Sequence, residues 1–327
     1  MRLFRRCAGL ILVLAPLAPS LRADATLRYH TDIKTSGGIG IALPLNQALG
    51  GIRDMVIRVK GNKAYSSQGN LTSIMDLMTQ QLILVDVARK RFATVPASQY
   101  AEQVKTAVPA IPEQARSVFA SMKSNLASRS TGRTASIQGI QAEEQEFTLS
   151  IDMALPGGPA TPAPFMKMVM QVWSAKPEET QRVPALQELR NYTASATSSL
   201  NPAEMMKQVL GGLPGMGDSI GAMVEEISKK GSMSLRMHTE LFMPVLALMS
   251  QQLPQQPGQP PPPALDPNAP LMQLNQEVVE LSTDPLDDSL FQVPQDYQAA
   301  SLEDILKGAM PSPAASAPGP AAAPPQK

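Results

Sequence analysis

From Phe147 the chain alternates between apolar and polar positions. Phe147, Leu149, Ile151, Met153 and Leu155 are separated by Thr148, Ser150, Asp152 and Ala154. A period of two places one apolar row on one face of a strand. The Gly/Pro-rich stretch Pro156-Gly157-Gly158-Pro159 breaks the pattern, which resumes with Met166, Met168, Met170 and Val172 against Lys167, Val169, Gln171 and Trp173. Two one-sided strands joined by a breaker loop predict neighbours in an antiparallel sheet.

The same alternation opens the chain. Leu27, Tyr29, Thr31 and Ile33 oppose Arg28, His30, Asp32 and Lys34. A strand over 52–60 follows, with Met55, Ile57 and Val59 on one face, and Gly61-Asn62 predicts a hairpin into 64–67. Short strands over 71–77, 81–87 and 91–95 continue a meander, and 133–138 resumes it. Met233, Leu235, Met237 and Leu241 define a strand over 232–242, and 272–282 is the last long one. Helical spacing predicts helices over 99–107 (Ser98 as N-cap), 113–125, 184–192, 203–210 and 218–230, with a helical turn or two over 302–306. The expectation is about eleven strands with a few short helices, a mainly β (α+β) fold.

Composition sharpens this picture. The chain of 327 residues carries 28 basic and 28 acidic side chains, so nothing electrostatic calls for nucleic acid. Many of its 31 prolines fall in 251–270, expected to be a Pro-rich insertion, and in 311–327, expected to be a disordered Pro/Ala tail. Its 19 methionines suit adaptable apolar surfaces.

The N-terminus has the pattern of an export signal. Basic Met1-Arg2-Leu3-Phe4-Arg5-Arg6 precedes an apolar run over 8–18, and Ala23-Asp24-Ala25 offers small residues for cleavage after Ala25. A membrane anchor would need a longer apolar run. The expected organisation is a signal over 1–25, one domain over 26–300 and a short helix with tail over 301–327, with no transmembrane segment in the mature chain. Cys7 is the only cysteine and would leave with the signal, so the mature chain would have no disulfide and no thiolate ligand.

Three stretches carry a resemblance. They are Ile74-Met75-Asp76-Leu77 through Leu84-Val85-Asp86 and Lys90-Arg91-Phe92; Ile137-Gln138-Gly139-Ile140-Gln141-Ala142-Glu143-Glu144; and Leu290-Phe291-Gln292-Val293-Pro294-Gln295-Asp296-Tyr297. With the order of predicted elements, they make the chain resemble exported bacterial proteins of the lipoprotein-carrier-like (LolA-like) superfamily. Ala142 stands where many relatives have cysteine, and Asp296 where glycine is usual. The resemblance implies a curved antiparallel half-barrel with helices over its concave face, located in the periplasm or cell envelope. In carriers of this type that face holds acyl chains.

The candidate ligand-binding residues are therefore the apolar rows Phe147, Leu149, Ile151 and Met153, then Met166, Met168 and Met170, then Met233, Leu235 and Met237. They would form a deformable pocket for a lipid or other hydrophobic ligand, or the ordinary core beneath the helices. A non-catalytic envelope protein with a filled core, contacting partners through its Pro-rich segments, is the alternative function. Gly217-Asp218-Ser219-Ile220-Gly221 matches the nucleophile-elbow pattern, which makes a serine esterase using Ser219 a remote third. That pattern needs a strand before the serine, and the breaker-rich 211–216 precedes it. His30 and His238 both fall on polar strand faces, with Glu240 the obvious neighbour, so neither a metal nor another cofactor is expected.

Overall fold

The computed structural model describes residues 24–35, 54–107, 122–153, 163–200, 216–229, 233–244 and 266–309. Expectations for 1–23, 39–49, 113–121, 154–162, 203–210, 251–265 and 311–327 lie outside these residues.

The chain first makes a meander of six strands: β1 (Ala25–Thr35), β2 (Asp54–Lys60), β3 (Lys63–Gln68), β4 (Leu71–Asp76), β5 (Gln81–Asp86) and β6 (Arg91–Pro96). Helix α1 (Ala97–Ala107) follows, then β7 (Lys123–Ile137), β8 (Ile140–Met153) and β9 (Ala163–Ala175). Three helices come next: α2 (Pro177–Arg182), α3 (Pro184–Leu200) and α4 (Met216–Lys229). Strands β10 (Ser234–Phe242) and β11 (Met272–Ser282), a 3-10 turn (Asp288–Phe291), β12 (Gln298–Ala299) and α5 (Leu302–Ala309) close the described chain.

Among the described residues, twelve strands join one open sheet in the order β12-β6-β5-β4-β3-β2-β1-β11-β10-β9-β8-β7. Every pairing is antiparallel except β12 with β6. The mainly β expectation holds. The predicted neighbours pair directly, with Phe147 opposite Met170, Leu149 opposite Met168 and Ile151 opposite Met166. Because β1 pairs with both β2 and β11, the last long strand joins the two meanders.

Local chemistry sets the turns. Asp76 Oδ1 accepts the Met78 amide at 2.8 Å, and Asp86 Oδ1 accepts the Arg89 amide at 3.1 Å. Gln80 and Lys90 then take left-handed φ values of 52° before the next strand. Gln138 (φ 51°) and Gly139 (φ 74°) make the tight β7–β8 hairpin, where two left-handed residues match the strand twist.

Helices α1, α3, α4 and α5 pack on the sheet and bury three clusters. Leu186 and Leu189 of α3 pack with Leu27, Val59 and Leu235 over the middle. Met223 of α4, with Ile220 and Ile227, covers Phe147, Met170 and Val172. Leu302 and Ile305 of α5 pack with Val104 of α1 over Leu84, Ala93 and Val95.

Several boundaries move. Lys123, Ser124 and Asn125, expected at the end of a helix, belong to the edge strand β7, which β8 templates by hydrogen bonding along its length. Asp24 and Ala25, expected to leave with the signal, are part of the fold. Ala25 is fully buried opposite Val59, and Asp24 Oδ2 accepts the Leu286 amide at 2.6 Å. Beyond residue 300, α5 packs on the sheet, with Ile305 fully buried. Helix α2 was not anticipated.

The closing segment is tied down by carboxylates. The Ser289 amide donates to Asp287 at 2.8 Å and holds that carboxyl below its usual range, as the Lys90 ammonium does for Asp296 at 2.7 Å. Folded-state values below the unfolded ones give stability that is present at neutral pH and lost as pH falls through the folded values. Amides of 287–298 should therefore lose hydrogen-exchange protection below about pH 4, ahead of β1–β5. Simultaneous loss across the domain would show that these carboxylates do not hold the segment separately.

Candidate functional site

Two cavities flank α3 on the helix-bearing face. The first, of about 400 Å³, lies between α3, α1 and strands β2 to β5. Its floor comes from two cross-strand rows, Ile57–Ser66–Ser73 and Val59–Ala64–Met75–Leu82. Ala64, Ser66 and Ser73 are small, so the sheet leaves a hollow where larger side chains elsewhere meet a helix. The Ser66 and Ser73 hydroxyls lie 3.1 Å apart and satisfy one another in that floor. Helix α3 roofs it with Leu189, Tyr192, Thr193 and Ala196, which share a face by their spacing of three, four and seven. Tyr100 of α1 closes one side.

The second cavity, of about 330 Å³, lies across α3 towards α4. Val172, Met237 and Gln276 form one cross-strand row of its floor, and Tyr29 pairs with Met55 in another. Arg190 and Ile227 contribute from the helices, and Thr193 and Met233 line both cavities.

Three tyrosines give these walls their polar tips. Burial pushes the Tyr29 and Tyr100 phenols up, and burial together with the Asp76 carboxylate does the same for Tyr192. All three therefore stay neutral donors at physiological pH. Tyr29 commits its hydroxyl to the Ser234 carbonyl at 2.6 Å, fixing the β1 side of the second cavity.

Of the residues proposed from sequence, Met233 and Met237 line cavity walls. Phe147, Leu149, Ile151 and Leu235 are at most 3% exposed and line neither cavity. Met170 is buried beside Met223, Met168 is half-buried at the edge of that cluster, and Met166 is half-buried further along β9. The side chain of Met153 lies outside the described residues. Sequence reasoning missed the small-residue floor and the α3 roof. Alanine and serine at inward positions of KAYSSQ and LTSIMD were the available signal.

No family model matches the chain, and no curated protein matches it. It is similar to PNGF-II, solved in the C2 space group, at 6% identity and TM-score 0.31, over 88% of this chain and 32% of that one. This chain thus spans about a third of PNGF-II, and a likeness so low carries no argument.

Ser219 sits inside α4, not at a strand-to-helix turn, and its Oγ is 2.7 Å from Ser124 Oγ on β7. The nucleophile-elbow geometry that the motif would need is not what this segment forms. His30 Nδ1 lies 3.0 Å from Asp54, while His238 Nδ1 lies 2.6 Å from Asn275 Oδ1 and its Nε2 3.5 Å from Glu240. Among the described residues, no three His, Cys, Asp or Glu side chains are grouped to hold a metal ion, and no helix is long and apolar enough to cross a membrane.

Proposed function

We propose that this is an exported cell-envelope protein that binds or carries a hydrophobic ligand between α3 and the sheet. In this reading the sheet curves as a lipoprotein-carrier-like half-barrel with its helices inside. Recovery of the protein in a periplasmic extract checks the export.

One observation carries the reading: the hollow above Ala64, Ser66 and Ser73, roofed by a helix face that is itself largely apolar. Its volume falls in the range of ligand sites, about 300–1,000 Å³, and its wall combines apolar surface with a few hydroxyls. A filled-core interaction protein has the packing of Phe147, Leu149 and Ile151 in its favour.

Uptake of a neutral naphthylamine probe by delipidated protein separates the two. The carrier reading expects saturable uptake at a fixed stoichiometry. It also expects the double substitution Ser66→Leu with Ser73→Leu to weaken uptake by about tenfold or more, equivalent to 1.4 kcal/mol or more. Changing both serines together leaves neither hydroxyl orphaned, so the filled variant should fold at least as stably. Absence of uptake by the unaltered protein would sink the proposal.

A further inference from the structure

The second cavity carries a charge that the first does not. Arg190 stands at its rim, on the exposed side of α3. Among the described residues Arg190 has no ion-pair partner, and no carboxylate lines that cavity. Beneath it lie Tyr29, Met55, Val172, Met237 and Gln276, a mostly apolar floor whose phenol is committed to Ser234 and whose amide donates to Thr31 Oγ1 at 3.3 Å. A guanidinium presents a planar fork of donors that matches a carboxylate or a phosphate through two parallel hydrogen bonds. A largely apolar cavity with a guanidinium-bearing side chain in its wall complements a molecule with an apolar tail and an anionic head.

We propose that the second cavity binds a single-chain anionic amphiphile, its tail on the Val172–Met237 floor and its carboxylate or phosphate head on Arg190. This rests on the hydrophobic-ligand reading above and adds the head-group class. A merely solvated arginine would show no preference among heads of different charge, so the two accounts part cleanly.

Thr193 and Met233 wall both cavities, so an amphiphile seated in the second is expected to exclude the probe. The test is competition against the neutral naphthylamine probe, using full-length protein and three ligands of one chain length: hexadecanoate, hexadecyl phosphate and hexadecanol. The two anions should displace probe about tenfold better than the alcohol, the gain expected of a charge-assisted pair over a neutral contact. Arg190→Gln should remove that preference while leaving the alcohol's displacement unchanged. Arg190→Lys, which keeps the charge and loses the fork, should retain part of it. Preference for one anion alone identifies the head group as carboxylate or phosphate; preference for both assigns the shared anion chemistry. Equal displacement by all three ligands, or equal weakening of all three by Arg190→Gln, overturns the proposal and leaves the hydrophobic-ligand reading standing. No probe uptake and no displacement by any ligand overturns both. Circular dichroism of each variant confirms that losses come from folded protein.

Discussion

Phe147→Ala is expected to lower the stability of the domain by about 3–5 kcal/mol and to leave ligand uptake by the folded variant unchanged. Phe147 is 1% exposed, pairs across the sheet with Met170 and packs beneath Met223 of α4. Truncation removes the transfer free energy of the ring and leaves a void that strands on either side cannot collapse around. Phe147 lines neither cavity, so the probe site itself should persist. Urea denaturation gives the first quantity and probe titration under folding conditions the second. A variant that keeps its stability and loses uptake would restore the Phe147 row as the binding surface and displace the α3 cavities from that role.

Arg133→Ala should cost about 3 kcal/mol, more than Glu144→Gln, although both break the same pair. The Glu144 side chain is fully buried, whereas that of Arg133 is 56% exposed. Glu144 takes both guanidinium contacts from Arg133 and a 2.9 Å hydrogen bond from Thr131 Oγ1. Losing the arginine strands a carboxylate away from water, and losing the carboxylate lets the arginine hydrate. The Arg133 guanidinium also sits 5.9 Å from the ring centre of Trp173, whose other cationic neighbour is Arg236 at 5.8 Å. Trp173 is the single tryptophan, so its emission should shift in Arg133→Ala and report unfolding of this region directly. A cost below about 1 kcal/mol would mean that the pair behaves as an ordinary surface ion pair.

The strands were legible because each carries its own evidence. The row Leu27, Tyr29, Thr31 lies against the helix-bearing side, with Arg28, His30 and Asp32 opposite and more exposed. The span 272–282 has the limits expected of it. β7 was misjudged in its first residues because an edge strand borrows its conformation. Lys123-Ser124-Asn125 has no apolar row, and pairing with Ile151, Ser150 and Asp152 of β8 decides its form. The first residues of β1 were not readable locally for a related reason. Small residues at 23–25 satisfy a cleavage pattern, but only the distant Leu286 amide and Val59 show that Asp24 and Ala25 are used in the fold. Helix α5 was expected as a turn or two over 302–306 outside the domain, and its apolar Leu302 and Ile305 gain meaning only against β5, β6 and α1.

The sequence by itself determined the strand periodicity, the pairing of β8 with β9, the meanders and the apolar character of one sheet face. Those follow from patterns a few residues long, which backbone geometry converts into faces. Which apolar residues would be packed and which would border space was decided only by the tertiary structure. A cavity is a difference between the volume that neighbouring elements enclose and the volume their side chains fill. That difference at Ala64, Ser66 and Ser73 depends on where α3, more than a hundred residues later in the chain, comes to rest.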